Sequence, residues 1–435
     1  MQLSEFRILG LFDAIDHRIS FPTSPEDEPR ASVTILHGPN GIGKTTLLRM
    51  LDGLMKLEFT IFRQVPFNEC VLTFNSGDSI AVQPERKDKQ RALFVRFKGH
   101  EVRLHPHHPG ALADEDKPVV ERFRKAFFAA TEALKFEFID TARMIGMFRA
   151  REEDAEVVDT FPTITRTGEV VMAHARRVHG KARTAEEPGL LASRVQLFAR
   201  EALGNYRRFF ATNQPELFPK ILESLTTDTA SSIDPAELQE RLEHIYHADV
   251  EARRMGLEAE QWDYKKLTRF LEPQVPSQKL DHVLTVLSTY VEALESRVAE
   301  RQLVAERLRI FEHLVNSFFE NKRIRVNARK GFDIVASNDK PLREEQLSSG
   351  EYHLLYLMVT ALVTQRRGSV IAIDEPEMSM HLKWQRQLVH ALIECASNAQ
   401  PQFVFATHSP DIAAEYTEFM IPLGGTAATE ALSQV

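Results

Sequence analysis

The sequence predicts an α/β fold with a large helical insertion. An apolar run at 32–36 leads into a glycine-rich loop and then into a helical pattern. Two further apolar runs, 370–373 and 403–406, have the length and composition of buried parallel strands. From about residue 118 to 320, apolar residues recur mostly at helical spacing and strand patterns are scarce. Strands towards both ends of the chain, with helices between them, therefore indicate a sheet-based domain interrupted by a helical lobe.

The composition is that of an ordinary globular protein. The chain has 435 residues, of which 43% are hydrophobic and 27% are charged. Its net charge of −8 argues against a protein that coats nucleic acid over its whole surface. With only Cys70 and Cys395, the chain has neither a disulfide framework nor a zinc site of paired cysteines. The amino terminus lacks a signal-peptide pattern and no apolar run reaches membrane-spanning length, so we expect a cytoplasmic protein with no membrane partner.

The first hundred residues are rich in strand patterns. Residues 70–74 and 80–82 alternate on either side of a polar turn, with Leu72 and Ile80 facing the same way, which predicts a β-hairpin. A second, weaker pair follows at 92–97 and 101–104. We therefore expect an antiparallel β edge beside the main sheet.

The middle of the chain is expected to form a packed helical lobe. The predicted helices cover 119–134, 191–210, 235–255 and 278–319. The three-four spacing of apolar residues from Leu280 to Leu294 does not continue for enough heptads to predict a rod-like coiled coil. Residues 160–189 contain prolines and glycines and are expected to form an irregular loop. The predicted domains are 1–110, 111–320 and 321–435.

A phosphate-binding loop is predicted directly after the first apolar run. Gly38, Gly43, Lys44 and Thr45 satisfy the spacing G-x-x-x-x-G-K-[ST]. Glycines let successive backbone N–H groups point at one anion, and the following helix adds its positive dipole end. Lys44 would contact the β- and γ-phosphates of ATP, and the Thr45 hydroxyl would ligate Mg²⁺. The expected nucleotide-binding residues are Gly38, Pro39, Asn40, Gly41, Ile42, Gly43, Lys44, Thr45 and Thr46.

A second cluster of polar residues lies near the carboxyl ends of the later apolar runs. Asp374 and Glu375 end one run and His408 follows the next, at the edge where open α/β sheets bind ligands. Asp374 could hold Mg²⁺ while Glu375 polarises an attacking water. Each residue has a structural alternative: Asp374 and Glu375 could be a surface acid pair, and His408 a core histidine. Ser348, just before an apolar helix, could be a helix cap. Their common order along the chain favours a joint site.

This order of motifs resembles the ATP-binding cassette (ABC) type ATPases, specifically the soluble RecF/SMC/OLD-like branch labelled AAA family. The segment GPNGIGKT at 38–45 matches Walker A, and LSSGE at 347–351 matches the signature. VIAIDEPE at 370–377 matches Walker B with its catalytic glutamate, and FATHSP at 405–410 carries the switch histidine. DEPEMSMHLKWQ and GFDIVASNDKPLREEQLSSGE are similar to segments in ATPase subunits of bacterial antiphage systems such as Septu and PARIS.

The resemblance implies a set of site residues and a dimer. Two ATP molecules would lie between two subunits, with Ser348, Ser349 and Gly350 of one subunit closing on the phosphate loop of the other. Glu375 and His408 would be catalytic, and Thr45 and Asp374 would hold Mg²⁺. The signature departs from LSGGQ at Ser349 and Glu351. Gln64 is a candidate for the usual magnesium-sensing glutamine.

The expected function is that of an ATPase which dimerises around ATP and acts as sensor or scaffold of an antiphage complex. Few residues follow His408, so the destructive activity is expected on a separate effector such as a nuclease. The alternatives are a RecF-like DNA repair ATPase and, disfavoured by the helical insertion, the nucleotide-binding subunit of a transporter. The basic stretch 321–330 could contact nucleic acid, but the solvated face of an edge strand is the preferred interpretation.

Overall fold

A computed structural model describes residues 1–23, 31–85, 92–104, 117–132, 134–141, 159–164, 170–175, 189–213, 234–257, 262–271, 277–366, 368–397, 399–412 and 414–423. The chain forms two compact units. Unit 1 contains Met1–Lys181 and Leu347–Val435, and unit 2 contains Ala182–Gln346. This division follows contacts in space, so the domain boundaries predicted after residues 110 and 320 stay predictions.

An antiparallel sheet occupies the amino-terminal part of unit 1. Its strands are β1 (Leu3–Leu11), β2 (Ile15–Ser20), β4 (Glu69–Phe74), β5 (Ser79–Pro84), β6 (Leu93–Phe97) and β7 (His100–Leu104), in the order β2-β1-β4-β5-β6-β7. The predicted hairpin is β4–β5, with Leu72 opposite Ile80 and both side chains fully buried. The weaker pair is β6–β7, so both predictions of an antiparallel edge are confirmed.

A parallel sheet forms the centre of unit 1. Its strands are β3 (Ser32–His37), β8 (Phe136–Asp140), β14 (Val370–Asp374), β15 (Gln402–Thr407) and β16 (Met420–Pro422), in the order β16-β3-β15-β14-β8. Every residue of β14 and β15 is buried, as the continuous apolar runs predicted. All neighbouring pairs are parallel, so the carboxyl ends of the strands meet at one edge. The predicted α/β fold, with parallel strands and an antiparallel edge, is confirmed.

Helices connect the strands and cover the sheets. In chain order they are α1 (Lys44–Lys56), α2 (Thr60–Gln64), α3 (Lys117–Thr131), α4 (Leu190–Asn213), α5 (Pro235–Arg254), α6 (Tyr264–Thr268), α7 (Ser277–Phe318), α8 (Ser349–Val363) and α9 (Leu382–Cys395). Short 3₁₀ turns lie at Arg269–Leu271, Glu344–Gln346 and Thr417–Phe419. Among the described helices, none combines the length and the apolar character that crossing a membrane requires.

Helix α1 connects the two sheets of unit 1. It contacts β8, β14 and β15 of the parallel sheet. Its buried side chains Leu47, Leu51 and Leu54 belong to the same apolar core as residues of both sheets. Because α1 follows β3 after only a short loop, its amino terminus lies at the carboxyl edge of the parallel sheet.

Strands occur where the sequence predicted helix or loop. β8 pairs with β14, with Phe136 opposite Val370, although its five residues lie in the segment that reads mostly as helical. Within the stretch expected to be irregular, β9 (Asp159–Ile164) and β10 (Val170–Ala175) form an antiparallel hairpin. That expectation was wrong for these residues because it weighted proline and glycine above the β-branched residues of the two strands.

Unit 2 combines the predicted helices with a small sheet. α4, α5 and α7 confirm three of the helices predicted in the middle of the chain, and α3 of unit 1 confirms the other. α5 packs along α7 through an apolar cluster that includes Leu242, Ile245 and Val291. A packed helical core is therefore present, as expected from the spacing.

The basic stretch 321–330 lies on an edge strand of unit 2. β11 (Lys322–Asn327), β12 (Gly331–Ala336) and β13 (Pro341–Leu342) form a sheet in that order. Ile324 and Val326 of β11 are buried, and Arg323 and Arg325 both pair with Asp339. The preferred interpretation as the solvated face of an edge strand is confirmed.

Candidate active site

The loop between β3 and α1 has the conformation of a phosphate cradle. Gly41 and Gly43 have φ angles of +86° and +97°, in the left-handed region that favours glycine. Gly43 is the N-cap of α1 and offers no side-chain hydrogen bond, and the first turn of the helix contains no acidic residue. The amino terminus of α1 therefore has no anionic side chain in its first turn to compete with a bound anion for its N–H groups.

Lys44 carries a buried positive charge with neutral partners. Its residue is only 6% exposed, and Nζ donates to the backbone carbonyls of Gly38 and Pro39 at 2.7 and 3.1 Å. Within the described residues, no carboxylate forms an ion pair with Lys44. A buried ammonium group is costly without a counter-ion. This geometry fits a polyanion such as the phosphates of ATP.

Asp374 ends β14 and faces the start of α1. The Thr45 hydroxyl donates a hydrogen bond to its carboxylate. The pKa of Asp374 is raised to about 6, chiefly by burial and also by the charges of Glu375 and Asp140. The hydrogen bond from Thr45 and the charge of Arg49 act in the opposite direction. Oδ1 of Asp374 is buried and has no hydrogen-bond partner in the described part of the chain.

These oxygens suit a hard cation. Mg²⁺ is commonly held by one or two protein oxygens together with phosphate oxygens and waters. The hydroxyl of Thr45 and the unpartnered oxygen of Asp374 match that donor set. Among the described residues, no three His, Cys, Asp or Glu side chains are grouped so that they could hold a metal ion by themselves. The site therefore fits a magnesium ion that arrives with a nucleotide.

Glu375 adopts a strained backbone conformation beside Asp374. Its φ angle is +49°, which is rare for a residue with a side chain. Its backbone N–H donates to the carbonyl of Ala406 in the neighbouring strand at 2.8 Å, which holds this conformation. Strain of this kind costs roughly 1–3 kcal/mol and concentrates at functional sites.

His408 follows β15 at the same edge of the sheet. Its side chain is 50% exposed, so the interpretation as a core histidine is excluded. Nδ1 lies 3.2 Å from Oε1 of Glu377, a residue that the sequence analysis did not select. The structure thus places Asp374, Glu375 and His408 at the ends of adjacent strands, as predicted.

The signature segment, residues 347–351, contains the N-cap and the first turn of α8 in unit 1. Ser348 is its N-cap: the N–H of Glu351 donates to Ser348 Oγ at 3.3 Å, and the N–H of Ser348 donates to Glu351 Oε2 at 2.7 Å. The structural alternative for Ser348, a helix cap, is therefore present. Ser348 is nevertheless exposed, Ser349 is half-buried and Gly350 is buried. In the described ranges, no hydrogen bond or ion pair joins these three residues to the loop 38–46.

Comparisons with known proteins agree with this geometry. Residues 189–414, just over half of the chain, match the family model described as "AAA domain, putative AbiEii toxin, Type IV TA system". The chain belongs to this AAA-domain family. Its fold is that of an AAA domain, and the matched range includes the signature segment, Asp374, Glu375 and His408. No curated protein matches the chain by sequence.

Three solved structures are similar to nearly the whole AAA-domain chain at low identity. The Smc head domain of Pyrococcus furiosus, with an extended coiled coil and bound to the C-terminal domain of ScpA, is 12% identical; the alignment covers 100% of this chain and 99% of that chain, with a TM-score of 0.41. The SMC head domain from Thermotoga maritima is 12% identical over 95% and 92%, with a TM-score of 0.36. An SmcHead bound to the C-winged helix domain of ScpA is 11% identical over 95% and 92%, with a TM-score of 0.39.

The antiparallel sheet of the AAA-domain protein contacts the loop 38–46. The sequence analysis did not predict this contact. A hydrogen bond joins the buried side chain of His17, on β2, to the backbone of Ile42. A Cβ atom added to Gly43 would lie 3.1 Å from the side chains of Leu11 and Phe12. No local sequence signal points to these contacts, because strand and loop are separated by the acidic segment 24–30, which lies outside the described residues.

β8 also brings an unpredicted polar residue to the site of the AAA-domain protein. Asp140 lies opposite Asp374 in the sheet and forms an ion pair with Arg49 at 2.8 Å. Gln64, the candidate from sequence, is exposed at the end of α2. The described structure records no hydrogen bond between Gln64 and the loop 38–46. The polar residue next to Asp374 on the neighbouring strand is therefore Asp140, not the predicted Gln64.

A buried histidine connects the signature helix of the AAA-domain protein to the loop after β14. His353 of α8 is fully buried; Nδ1 lies 3.0 Å from the carbonyl oxygen of Met378 and Nε2 lies 3.3 Å from Thr141 Oγ1. Burial lowers the pKa of His353 to about 4. Beside it, a Cβ atom on Gly350 would lie 2.3 Å from the carbonyl oxygen of Ser379. The signature helix therefore packs tightly against the segment that follows Asp374 and Glu375.

Proposed function

We propose that this protein binds ATP with Mg²⁺ and hydrolyses it to ADP and phosphate. The observation that carries the proposal is the buried Lys44 ammonium, which is held by two carbonyls and forms no ion pair with a described carboxylate, together with the adjacent Thr45–Asp374 pair. Backbone N–H groups of residues 38–46 would bind the phosphates. Every residue of this loop except Pro39 has an N–H group that can donate a hydrogen bond. Mg²⁺, once bound by Thr45 and Asp374, would neutralise developing charge on the phosphates.

The remaining site residues have distinct proposed roles. Glu375 would orient and polarise the attacking water, and the strained backbone would fix the position of its carboxylate. His408 would hold the water or the terminal phosphate from the adjacent strand end. The test is a phosphate-release assay with ATP and Mg²⁺ on the wild type and on Lys44→Ala. Turnover that survives Lys44→Ala unchanged would contradict the proposal.

We propose further that two subunits close around ATP. Support comes from the exposed position of Ser348 at the start of α8. Ser349 and Gly350 would complete the contact with the γ-phosphate bound to the other subunit. Sedimentation with and without a non-hydrolysable ATP analogue tests this association.

We propose that the ATPase serves as the sensor or scaffold of an antiphage system whose effector, such as a nuclease, is a separate protein. The description of its family, which names a toxin and a toxin–antitoxin system, supports a defence context. Phage challenge of cells that carry the wild-type gene or Lys44→Ala, with pull-down of the product of the adjacent gene, tests the role. Unchanged phage sensitivity, together with binding of purified protein to DNA ends or gaps, would favour RecF-like repair instead.

A further inference from the structure

Glu377 presents a buried carboxylate that the proposed chemistry leaves unused. It lies three residues after Asp374 and its side chain is only 6% exposed. Oε1 accepts a hydrogen bond from Thr407 Oγ1 at 2.6 Å and two more from the backbone N–H groups of His408 and Ser409 at 3.1 and 3.2 Å. One carboxylate oxygen thus holds the turn that follows β15.

The same oxygen faces the imidazole of His408. Nδ1 of His408 lies 3.2 Å from Oε1 of Glu377, and within the described structure no lysine or arginine forms an ion pair with Glu377. A carboxylate accepts hydrogen bonds and cannot donate them when ionised. The contact therefore favours the tautomer with a proton on Nδ1, which leaves Nε2 as the reactive nitrogen.

The turn around His408 is fixed from a second side. Ser409 Oγ donates to Gln385 Oε1 at 2.8 Å, and Gln385 Nε2 donates to the carbonyl of Met380 at 3.0 Å. The backbone of the turn thus has anchors besides Glu377. Loss of the Glu377 charge should consequently change the imidazole more than the backbone.

We propose that Glu377 is a positioning residue that acts through His408: it holds Nδ1–H, sets the ring orientation, and presents Nε2 at the carboxyl edge of the sheet. The proposal rests on the ATPase function proposed above. A carboxylate that orients a functional histidine through its second nitrogen raises the basicity of the first and fixes the tautomer. Glu377 itself touches no substrate in this scheme.

The first test reads the tautomer directly and needs no ATPase activity. The protein is labelled with ¹⁵N-histidine, and the His408 ring signals are identified by their loss in His408→Gln. We expect Nδ1–H in the wild type and loss of this preference in Glu377→Gln, which keeps an oxygen for Thr407 and the two N–H groups but removes the charge. The control is Glu394→Gln, at an exposed contact with His390, which should leave the His408 signals unchanged. A wild-type His408 with its proton on Nε2 would overturn the proposal.

The second test is a double-mutant cycle on ATP hydrolysis. Glu377→Gln should lower kcat about 10–100-fold with little change in KM, the usual cost of losing an orienting partner. In a His408→Ala background the same substitution should cost less than about twofold, because residues that act as a unit are not additive. Additive losses would overturn the proposal. If Glu377→Gln does not fold, Glu377→Asp, which withdraws the carboxylate by one methylene, replaces it in both tests. A wild type that does not hydrolyse ATP would refute the proposed function, while the tautomer measurement would still decide the role of Glu377.

Discussion

At the residue scale, the described site combines the Lys44 cation, which forms no ion pair with a described carboxylate, with an unpartnered oxygen of Asp374. Lys44 and Asp374 are each 6% exposed, and their neighbours supply hydrogen bonds without cancelling the charge of Lys44. Buried charges of this kind are costly by themselves and become favourable when a complementary ligand binds. The energetics therefore predict strong coupling between stability and bound nucleotide.

Lys44→Ala should abolish stabilisation by ATP. In the wild type, ATP with Mg²⁺ at a hundred times its dissociation constant should raise the free energy of unfolding by roughly 2.7 kcal/mol. Thermal unfolding with and without ATP–Mg²⁺ measures this. Lys56→Ala, at the other end of α1 and paired with Asp52, is the matched control and should keep the full shift. Equal shifts in Lys44→Ala and wild type would contradict the assignment.

Glu375→Gln should slow hydrolysis by about 10²–10⁴-fold while ATP binding persists, because a positioned acid–base group contributes on that order. Single-turnover hydrolysis and a separate nucleotide-binding assay distinguish the two effects. Glu394→Gln, an exposed glutamate of α9, controls for the loss of one charge. An active Glu375→Gln protein would remove this carboxylate from the mechanism.

His353 and Asp374 should give the stability opposite pH dependences. The pKa of His353 is lowered from 6.5 to about 4. Between these pH values the histidine binds a proton in the unfolded chain but stays neutral in the native state. The free energy of unfolding should therefore fall between about pH 6.5 and 4, and His353→Gln should remove a loss on the order of 3 kcal/mol.

The pKa of Asp374 is raised from 3.8 to about 6, so the native state binds the extra proton in that window and stability gains as the pH falls. Asp374→Asn should remove this gain, so the free energy of unfolding should fall more steeply as the pH is lowered. Chemical unfolding from pH 7 to 4 in the absence of nucleotide compares the three proteins. If the free energy of unfolding had the same pH dependence in all three proteins, the effect of burial on the pKa values of His353 and Asp374 would be contradicted.

At the element scale, the contact between α8 and the segment after β14 depends on the absence of a side chain. A Cβ on Gly350 would lie 2.3 Å from the carbonyl oxygen of Ser379, which is backbone and cannot rotate away. Ser379 itself has a φ of +62°. The start of the signature helix is therefore packed directly against the backbone of the strained segment that follows Glu375.

Gly350→Ala should destabilise unit 1 by about 1–3 kcal/mol, the usual cost of overpacking. The matched control is Gly204→Ala in the interior of α4, where an added Cβ meets nothing within 4 Å. That change should stabilise by about 0.5–1 kcal/mol, because alanine is the better helix former. Denaturant titrations measure the change in the free energy of unfolding for each variant, which should be a loss for Gly350→Ala and a gain for Gly204→Ala. A neutral Gly350→Ala would show that α8 can shift without cost.

Local motifs allowed much of the site to be predicted from sequence. The loop 38–46, Asp374, Glu375 and His408 each follow a short apolar strand, so spacing along the chain was enough to place them at one sheet edge. β8 could not be recognised in the same way, because its partner β14 is distant in sequence and five residues carry little periodicity. Glu377 was missed because its partners Thr407 and His408 lie about thirty residues further along the chain.

At the scale of the whole molecule, two subunits are expected to meet through the exposed start of α8. Ser348→Arg should block any ATP-dependent association, since a long cationic side chain would occupy the space for the partner. Sedimentation with a non-hydrolysable analogue measures the mass. Ser76→Arg, in the exposed turn between β4 and β5, should associate like the wild type. A wild type that remains monomeric at full activity would contradict the two-subunit arrangement.

The strand order of the parallel sheet also has a consequence for biosynthesis. β3 emerges early from the ribosome, yet its two neighbours in the sheet, β15 and β16, are the last two described strands to be made. At ~5–20 residues per second, roughly 20–70 s separate β3 from β15. Throughout that interval Val33, Ile35 and Leu36 lack the strands that will pair with β3. A nascent chain released before residue 402 would contain the entire glycine-rich loop without the sheet that holds it, and would depend on chaperones to avoid aggregation.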